Sequence, residues 1–166
     1  MKQQHEVYVG LGSNLGESKS LVDEAVLQLK DNPAIANLTV SSYYRSSPVS
    51  DLPQPDFINA VCRFETSLSA NVLFSELQMI EERLGKTAKP KNAPRSIDID
   101  ILFYGELEMC TPELEIPHPR WQERLFVVKP LADVVSILRI PGSKEPIHLA
   151  ALLERVYPGQ TVEVLT

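Results

Sequence analysis

Polar and apolar positions alternate from His5 to Leu11, with Val7, Val9 and Leu11 on one face, so the chain opens on a half-buried strand. The glycine-rich stretch Gly10-Leu-Gly-Ser-Asn-Leu-Gly16 follows, and it predicts a turn in which Gly10 and Gly12 supply backbone freedom. Leu21, Val22, Ala25, Val26 and Leu29 then recur at helical spacing until Asn32 and Pro33 end the pattern. Leu38 to Tyr44, rich in β-branched and aromatic residues, predicts a second strand. It runs into Ser46 to Pro55, whose three prolines exclude regular structure and mark a long functional loop.

Alternation returns from Phe57 to Thr66, with Ile58, Ala60, Cys62 and Phe64 toward the core and Phe57 and Asn59 on the opposite face. A second helix follows, with Ser69 as N-cap, Val72, Leu73, Leu77, Ile80 and Leu84 as its apolar stripe, and Gly85 as its stop. Lys86 to Pro94 is a basic, proline-bearing loop, and Ile97 to Tyr104 alternates more strictly than any other segment. Farther on the signals weaken to a loop with Pro112 and Pro117, a helical turn near Trp121, a strand near Phe126 to Val128 and a helix from His148 to Val156. The order β-α-β-β-α-β predicts a ferredoxin-like α+β sandwich with an appended C-terminal α/β extension.

Composition narrows the class. A length of 166 residues, 43% of them hydrophobic, suits one domain over residues 1–166. A net charge of −6 lacks the basic footprint of a nucleic-acid binder. Cys62 and Cys110 are too few for a disulfide scaffold and predict reduced, buried thiols. With neither an apolar signal core nor a run of 18 apolar residues, the expectation is a cytoplasmic protein without membrane association, and no leftover apolar patch argues against a monomer.

The sharpest chemical feature is Arg95-Ser-Ile-Asp-Ile-Asp-Ile-Leu-Phe103. On a strand, Ile97, Ile99, Ile101 and Phe103 share one face and Asp98 and Asp100 the other, their Cα atoms roughly 6.5 Å apart. Two carboxylates so placed are either a solvated outer face or a seat for Mg²⁺ ions bridging to a polyphosphate. The setting favours the second: Lys86, Lys89, Lys91 and Arg95 lie just upstream, and His118, Arg120, Trp121, Arg124 and Phe126 downstream. Phe57, Asn59, Arg124 and Phe126 suit an aromatic sandwich around a flat heterocycle beside a phosphate clamp. His118 alone is either a phosphate contact or a loop histidine, His5 and His148 are assigned to the surface, and Trp121 to packing. The glycine stretch has neither dinucleotide nor Walker spacing.

Taken in order, Gly12-Ser-Asn-Leu-Gly16, Ser42-Tyr-Tyr-Arg45, Pro55-Asp-Phe-Ile-Asn-Ala60, Pro94-Arg-Ser-Ile-Asp-Ile-Asp-Ile-Leu102, Pro117-His118 and Arg124-Leu-Phe126 resemble the 6-hydroxymethyl-7,8-dihydropterin pyrophosphokinase family. The resemblance runs from Tyr8 to about Val156. It implies transfer of the β,γ-diphosphate of ATP to the pterin hydroxymethyl oxygen with release of AMP, in folate biosynthesis. Asp98 and Asp100 match aspartates that bind two Mg²⁺ ions; Phe57 and Phe126 match the aromatic pair around the pterin, and Asn59 the asparagine at its edge. Ser46 and Val49 match pterin-reading loop positions. Arg95, His118 and Arg124 match phosphate contacts, while Gln78, Glu81 and Ile101 fall near the nucleotide. The implied catalytic set is Lys86, Arg95, Asp98, Asp100 and Arg124, with Asp98 the nearest group to orient the hydroxyl. The loop departs from the family pattern: Lys86 keeps a charge, Ala88 keeps none and Asn92 stands where a tryptophan is usual, which implies looser clamping of the transition state. A non-catalytic ferredoxin-like binding domain, or a transferase for another flat heterocycle, remains the alternative.

Overall fold

The computed structural model describes residues 3–14, 17–48, 53–86 and 96–165, with the backbone alone for Lys86. Val49, the Lys86 side chain, and the loop from residue 87 to Arg95 lie outside the described residues, so the expectations placed on them stay as stated.

The ferredoxin-like order is present. Strand β1 (His5–Ser13), helix α1 (Ser18–Asp31), the interrupted strand β2 (Ile35–Val40) and β3 (Tyr44–Ser46), strand β4 (Phe57–Thr66), helix α2 (Ala70–Glu81) and strand β5 (Asp98–Tyr104) follow one another. β4 and β5 flank β1, and β2 and β3 both pair with β4, every pairing antiparallel. The appended part holds the small ladder of β6 (Met109–Cys110) and β7 (Glu115–Ile116), a 3-10 turn at Trp121–Glu123, helix α3 (Leu125–Val134), the ladder of β8 (Ile137–Leu138) and β9 (Ile147–His148), and helix α4 (Leu149–Leu153). It ends in β10 (Val162–Val164), which pairs with β3 and so widens the main sheet.

Each face of the sheet buries its own core. Val7, Val9, Leu11, Ile58, Ala60, Cys62 and Phe64 pack against Val22, Ala25 and Leu29 of α1 and Leu73, Leu77 and Ile80 of α2. Tyr8, Val61, Leu102 and Phe103 pack on the other face against Trp121, Val128 and Leu131. Ser69 caps α2, its hydroxyl accepting the Val72 N–H at 3.3 Å. Gly85 ends that helical run at a φ of 119°, where a Cβ would come within 2.8 Å of the Ser96 hydroxyl oxygen; a left-handed position this close to a neighbour takes only glycine.

Several sequence expectations are corrected. Phe103 does not share a face with Ile97, Ile99 and Ile101. β1 and β5 slip register by one residue, Val9 facing Ile101 and Tyr8 facing Phe103, so Leu102 is the extra residue of a β-bulge. Leu102 and Phe103 therefore both turn into the second core and Tyr104 returns to the first. Phe103 meets Trp121 edge-on at 5.0 Å and Tyr8 at 6.1 Å. Phe103→Ala should cost about 3–5 kcal/mol in urea unfolding, the value for an aromatic deleted from a packed core; a residue on a solvated face would cost far less.

Phe126 to Val128 is helix, not strand. β-branched Val127 and Val128 suggested extension, but Val127, Val128, Leu131 and Val134 bury together at helical spacing, and that packing outweighs local preference. Val72 is 47% exposed and leaves the α2 stripe to Leu73, Leu77 and Ile80. Cys62 is buried, which pushes its thiol up to about 12, but Cys110 is exposed. Gly10 and Gly12 belong to β1 itself rather than to a turn. No helix among the described residues is long and apolar enough to cross a membrane.

Candidate active site

A cleft of about 550 Å³ opens on the second face of the sheet, beside the N-terminal end of α3. Its lining gathers Ser46, Phe57, Asn59, Asp98, Asp100, His118, Arg124 and Phe126 from five separate segments of the chain. The strand period explains how. On β1 the residues opposite Val9 and Leu11 are Gly10 and Gly12, which pair with Asp100 and Asp98 on one side and with Val61 and Asn59 on the other. Without side chains there, β1 forms a bare floor between the two carboxylates and the amide. A Cβ on Gly12 would stand 3.1 Å from Asn59 Oδ1, and one on Gly10 would rest on Leu102 at 3.6 Å.

The polar wall is built from β3 and β4. Asn59, 4% exposed, donates from Nδ2 to Ser46 Oγ at 2.6 Å, and Ser46 is itself 3% exposed. That bond fixes the amide and leaves its carbonyl toward the floor. Phe57 stands two residues earlier on the same face, half-buried. At the rim, Asn14 Nδ2 reaches Gln54 Oε1 at 3.2 Å and the Pro55 carbonyl at 3.4 Å, which ties the end of the proline loop to the end of β1. The Ser13 hydroxyl donates to the Ser96 carbonyl just ahead of β5, fixing where the carboxylate strand begins.

Asp98 is half-buried and Asp100 exposed, both on the cleft face of β5. Ile99, between them, faces the first core and donates its N–H to the buried Glu81 carboxylate at 3.0 Å. Beyond the bulge, the His118 N–H donates to the Leu102 carbonyl at 3.0 Å and docks the following segment along the open edge of β5. The Arg120 N–H points to His118 Nδ1 at 3.4 Å, so a neutral ring carries its proton on Nε2. Burial lowers the pKa of His118, with Arg124 adding to the effect and Asp100 and Glu115 opposing it. An unfolded chain thus takes up a proton near pH 6.5 that the folded protein refuses until lower pH. The resulting stability is present above pH 6.5 and is lost as pH falls; His118→Gln should flatten that slope in urea midpoints measured across the range.

Arg124 precedes α3 in extended backbone, and its guanidinium lies 5.8 Å from the centre of the Phe126 ring. The structure thus joins eight of the expected site residues in one cleft. Gln78, Glu81 and Ile101 are not among its lining: Gln78 is exposed on α2, and Ile101 is buried in the first core. Trp121 is core, as expected. The lining also includes Gln160, which no motif marked.

Residues 8–136 match the model of the family described as 7,8-dihydro-6-hydroxymethylpterin-pyrophosphokinase. The chain belongs to that family. Among its relatives, the 2-amino-4-hydroxy-6-hydroxymethyldihydropteridine pyrophosphokinase of Pseudomonas aeruginosa is 38% identical over 147 residues, covering 89% of each chain. The folic acid synthesis protein fol1 of Pneumocystis carinii is 44% identical over 159 residues, which are 96% of this chain but only 21% of that protein. A crystal structure of Plasmodium falciparum HPPK-DHPS superposes with a TM-score of 0.70 at 14% identity, over 92% of this chain and 45% of the other; it supports the pyrophosphokinase fold.

Proposed function

We infer that this chain is a pyrophosphokinase of folate synthesis, moving the β,γ-diphosphate of ATP onto the hydroxymethyl oxygen of 6-hydroxymethyl-7,8-dihydropterin. The observation that carries the inference is the convergence in one cleft of the Asp98 and Asp100 carboxylates, the Phe57, Asn59 and Phe126 group, and Arg124 with His118.

The pterin ring sits between Phe57 and Phe126, and Asn59, held by Ser46, reads its polar edge. The bare β1 floor leaves room for a flat ring at this depth. The substrate oxygen forms a bond to the β-phosphorus while the bond from that phosphorus to the oxygen of the α-phosphate breaks. AMP leaves with that oxygen, and the hydroxyl proton passes toward Asp98. Such transfers need alignment and charge neutralisation more than a covalent catalyst. Arg124 and His118 bind phosphate oxygens, a role the family resemblance also assigns to Lys86 and Arg95, as it assigns Val49 to reading the pterin.

Two carboxylates on one strand are a donor set of hard oxygens. Placed on the cleft face of β5, they fit a hard divalent cation such as Mg²⁺, which would supply charge neutralisation to the phosphates. Asp98 and Asp100 would hold two such ions, whose charge neutralises the triphosphate. Gln78, Glu81 and Ile101 would act at the nucleotide from outside the cleft lining, with Glu81 also holding the Ile99 N–H between the carboxylates. A single domain over residues 1–166, a monomeric state and a cytoplasmic location belong to the same proposal.

The test is AMP release from ATP and Mg²⁺ with and without the dihydropterin. Pterin-dependent AMP is the expected result. Pterin binding by calorimetry without AMP would reject the transfer and favour the non-catalytic alternative.

A further inference from the structure

Gln160 makes a contact that the site residues named so far do not account for. Its side-chain Nε2 donates to the Glu123 carbonyl at 2.9 Å, and its Oε1 accepts the Leu125 N–H at 2.9 Å. These are the peptide groups on either side of Arg124. One amide therefore grips the backbone of the cleft arginine from both sides, as a strand neighbour would.

The grip replaces something the segment lacks. Arg124 is the N-cap of α3, and its own side chain makes no cap hydrogen bond. Helix starts leave their first N–H groups without intrahelical partners, and here Gln160 supplies the acceptor for Leu125 from 35 residues away in sequence. A guanidinium has no acceptor and cannot cap a helix start itself; the Arg124 side chain lies over Phe126 at the cleft.

Gln160 is itself held. Its N–H bonds the Tyr157 carbonyl at 3.2 Å across Pro158 and Gly159, and Gly159 has a φ of 72°, the pattern of a type II turn. The next residue, Thr161, accepts the Ser47 N–H at 3.2 Å, and Val162 pairs with Ser46 in the β10–β3 ladder. Ser46 and Ser47 also line the cleft. The segment from Gln160 to Val162 thus bonds both walls, with β3 on one side and the Arg124 backbone on the other.

We propose that Gln160 is the positioning residue of Arg124, setting the arginine's reach into the cleft relative to the Ser46 wall. It rests on the transfer reaction inferred above, and it acts without touching the reacting atoms. Methionine is close to glutamine in shape and cannot make either hydrogen bond, so Gln160→Met releases the grip and largely keeps the volume.

The experiment combines Gln160→Met, Arg124→Ala, the double variant, and Lys129→Met as a control. Lys129 Nζ bonds the Val162 carbonyl at 3.0 Å, a second tie between α3 and β10 that does not flank Arg124. Gln160→Met should lower kcat about tenfold, since small displacements of a positioning group are costly. It should speed hydrogen exchange at the Leu125 amide and add no further loss of kcat in the Arg124→Ala background. Lys129→Met should leave kcat unchanged. An equal loss with and without Arg124, a similar loss in Lys129→Met, or unchanged Leu125 exchange would each overturn the proposal. Failure of the reaction itself is recognised separately, because wild-type protein would then release no pterin-dependent AMP while Leu125 exchange, which needs no turnover, still responded to Gln160→Met.

Discussion

Asparagine in place of either Asp98 or Asp100 is expected to lower pterin-dependent AMP release by about 10³-fold, the scale of losing a main stabiliser of developing phosphate charge. Asparagine keeps the size and the strand position and removes only the charge. The variant should remain folded by circular dichroism, because Ile97, just ahead of β5, and Ile99 and Ile101 on it stay buried on the opposite face. The dependence of the remaining rate on Mg²⁺ should move to higher concentration, since affinity for a hard cation follows the carboxylate charge. If Asp98→Asn retained turnover within tenfold of wild type, Asp98 would be neither metal ligand nor hydroxyl acceptor.

Gly12→Val should lower both the stability of the fold and its affinity for the ring. Position 12 lies in β1, between Asn59 on β4 and Asp98 on β5, with its missing side chain facing the cleft. A β-branched residue suits strand backbone. A Cβ here, however, already stands 3.1 Å from Asn59 Oδ1, whose amide is held by Ser46, so about 1–3 kcal/mol of overpacking is present in the free protein and lowers its stability. The added methyl groups also fill space beside Asn59 that the ring would need, which should weaken dihydropterin binding by up to about 100-fold in calorimetry. Normal binding would mean that the ring does not reach the β1 floor, and the sandwich between Phe57 and Phe126 would have to be abandoned with it.

The period of two carried most of what the sequence disclosed. From it alone, Asp98 and Asp100 fall on one face of β5 and Phe57 and Asn59 on one face of β4, and both pairs do line the cleft. The same period failed at Phe103, because a bulge adds a residue without changing composition and is visible only once β1 is laid alongside. At Val127 and Val128 local preference pointed to a strand and burial chose a helix. In the sequence Gly10 and Gly12 signal backbone freedom, yet they act by the space they leave, which depends on what stands on the neighbouring strands. Gln160 gave no signal at all, since a lone glutamine between a turn and a short strand acquires meaning only from the two peptide groups it meets.

The bulge at Leu102 also bears on how the chain tolerates changes of length. In a regular strand, removing one residue inverts every side chain beyond the cut, and for β5 that would expel Tyr104 from the core. Deleting Leu102 alone would not. Ile101, Phe103 and Tyr104 would then simply alternate, each keeping the face it has now, and the loss would be the side chain lying over Gly10 together with the Leu102 carbonyl that accepts the His118 N–H. The strand thus absorbs an in-frame codon deletion at this bulge, and the space so opened adjoins the floor of the cleft. A chain shortened there should still fold, with a deeper pocket than the one it started from.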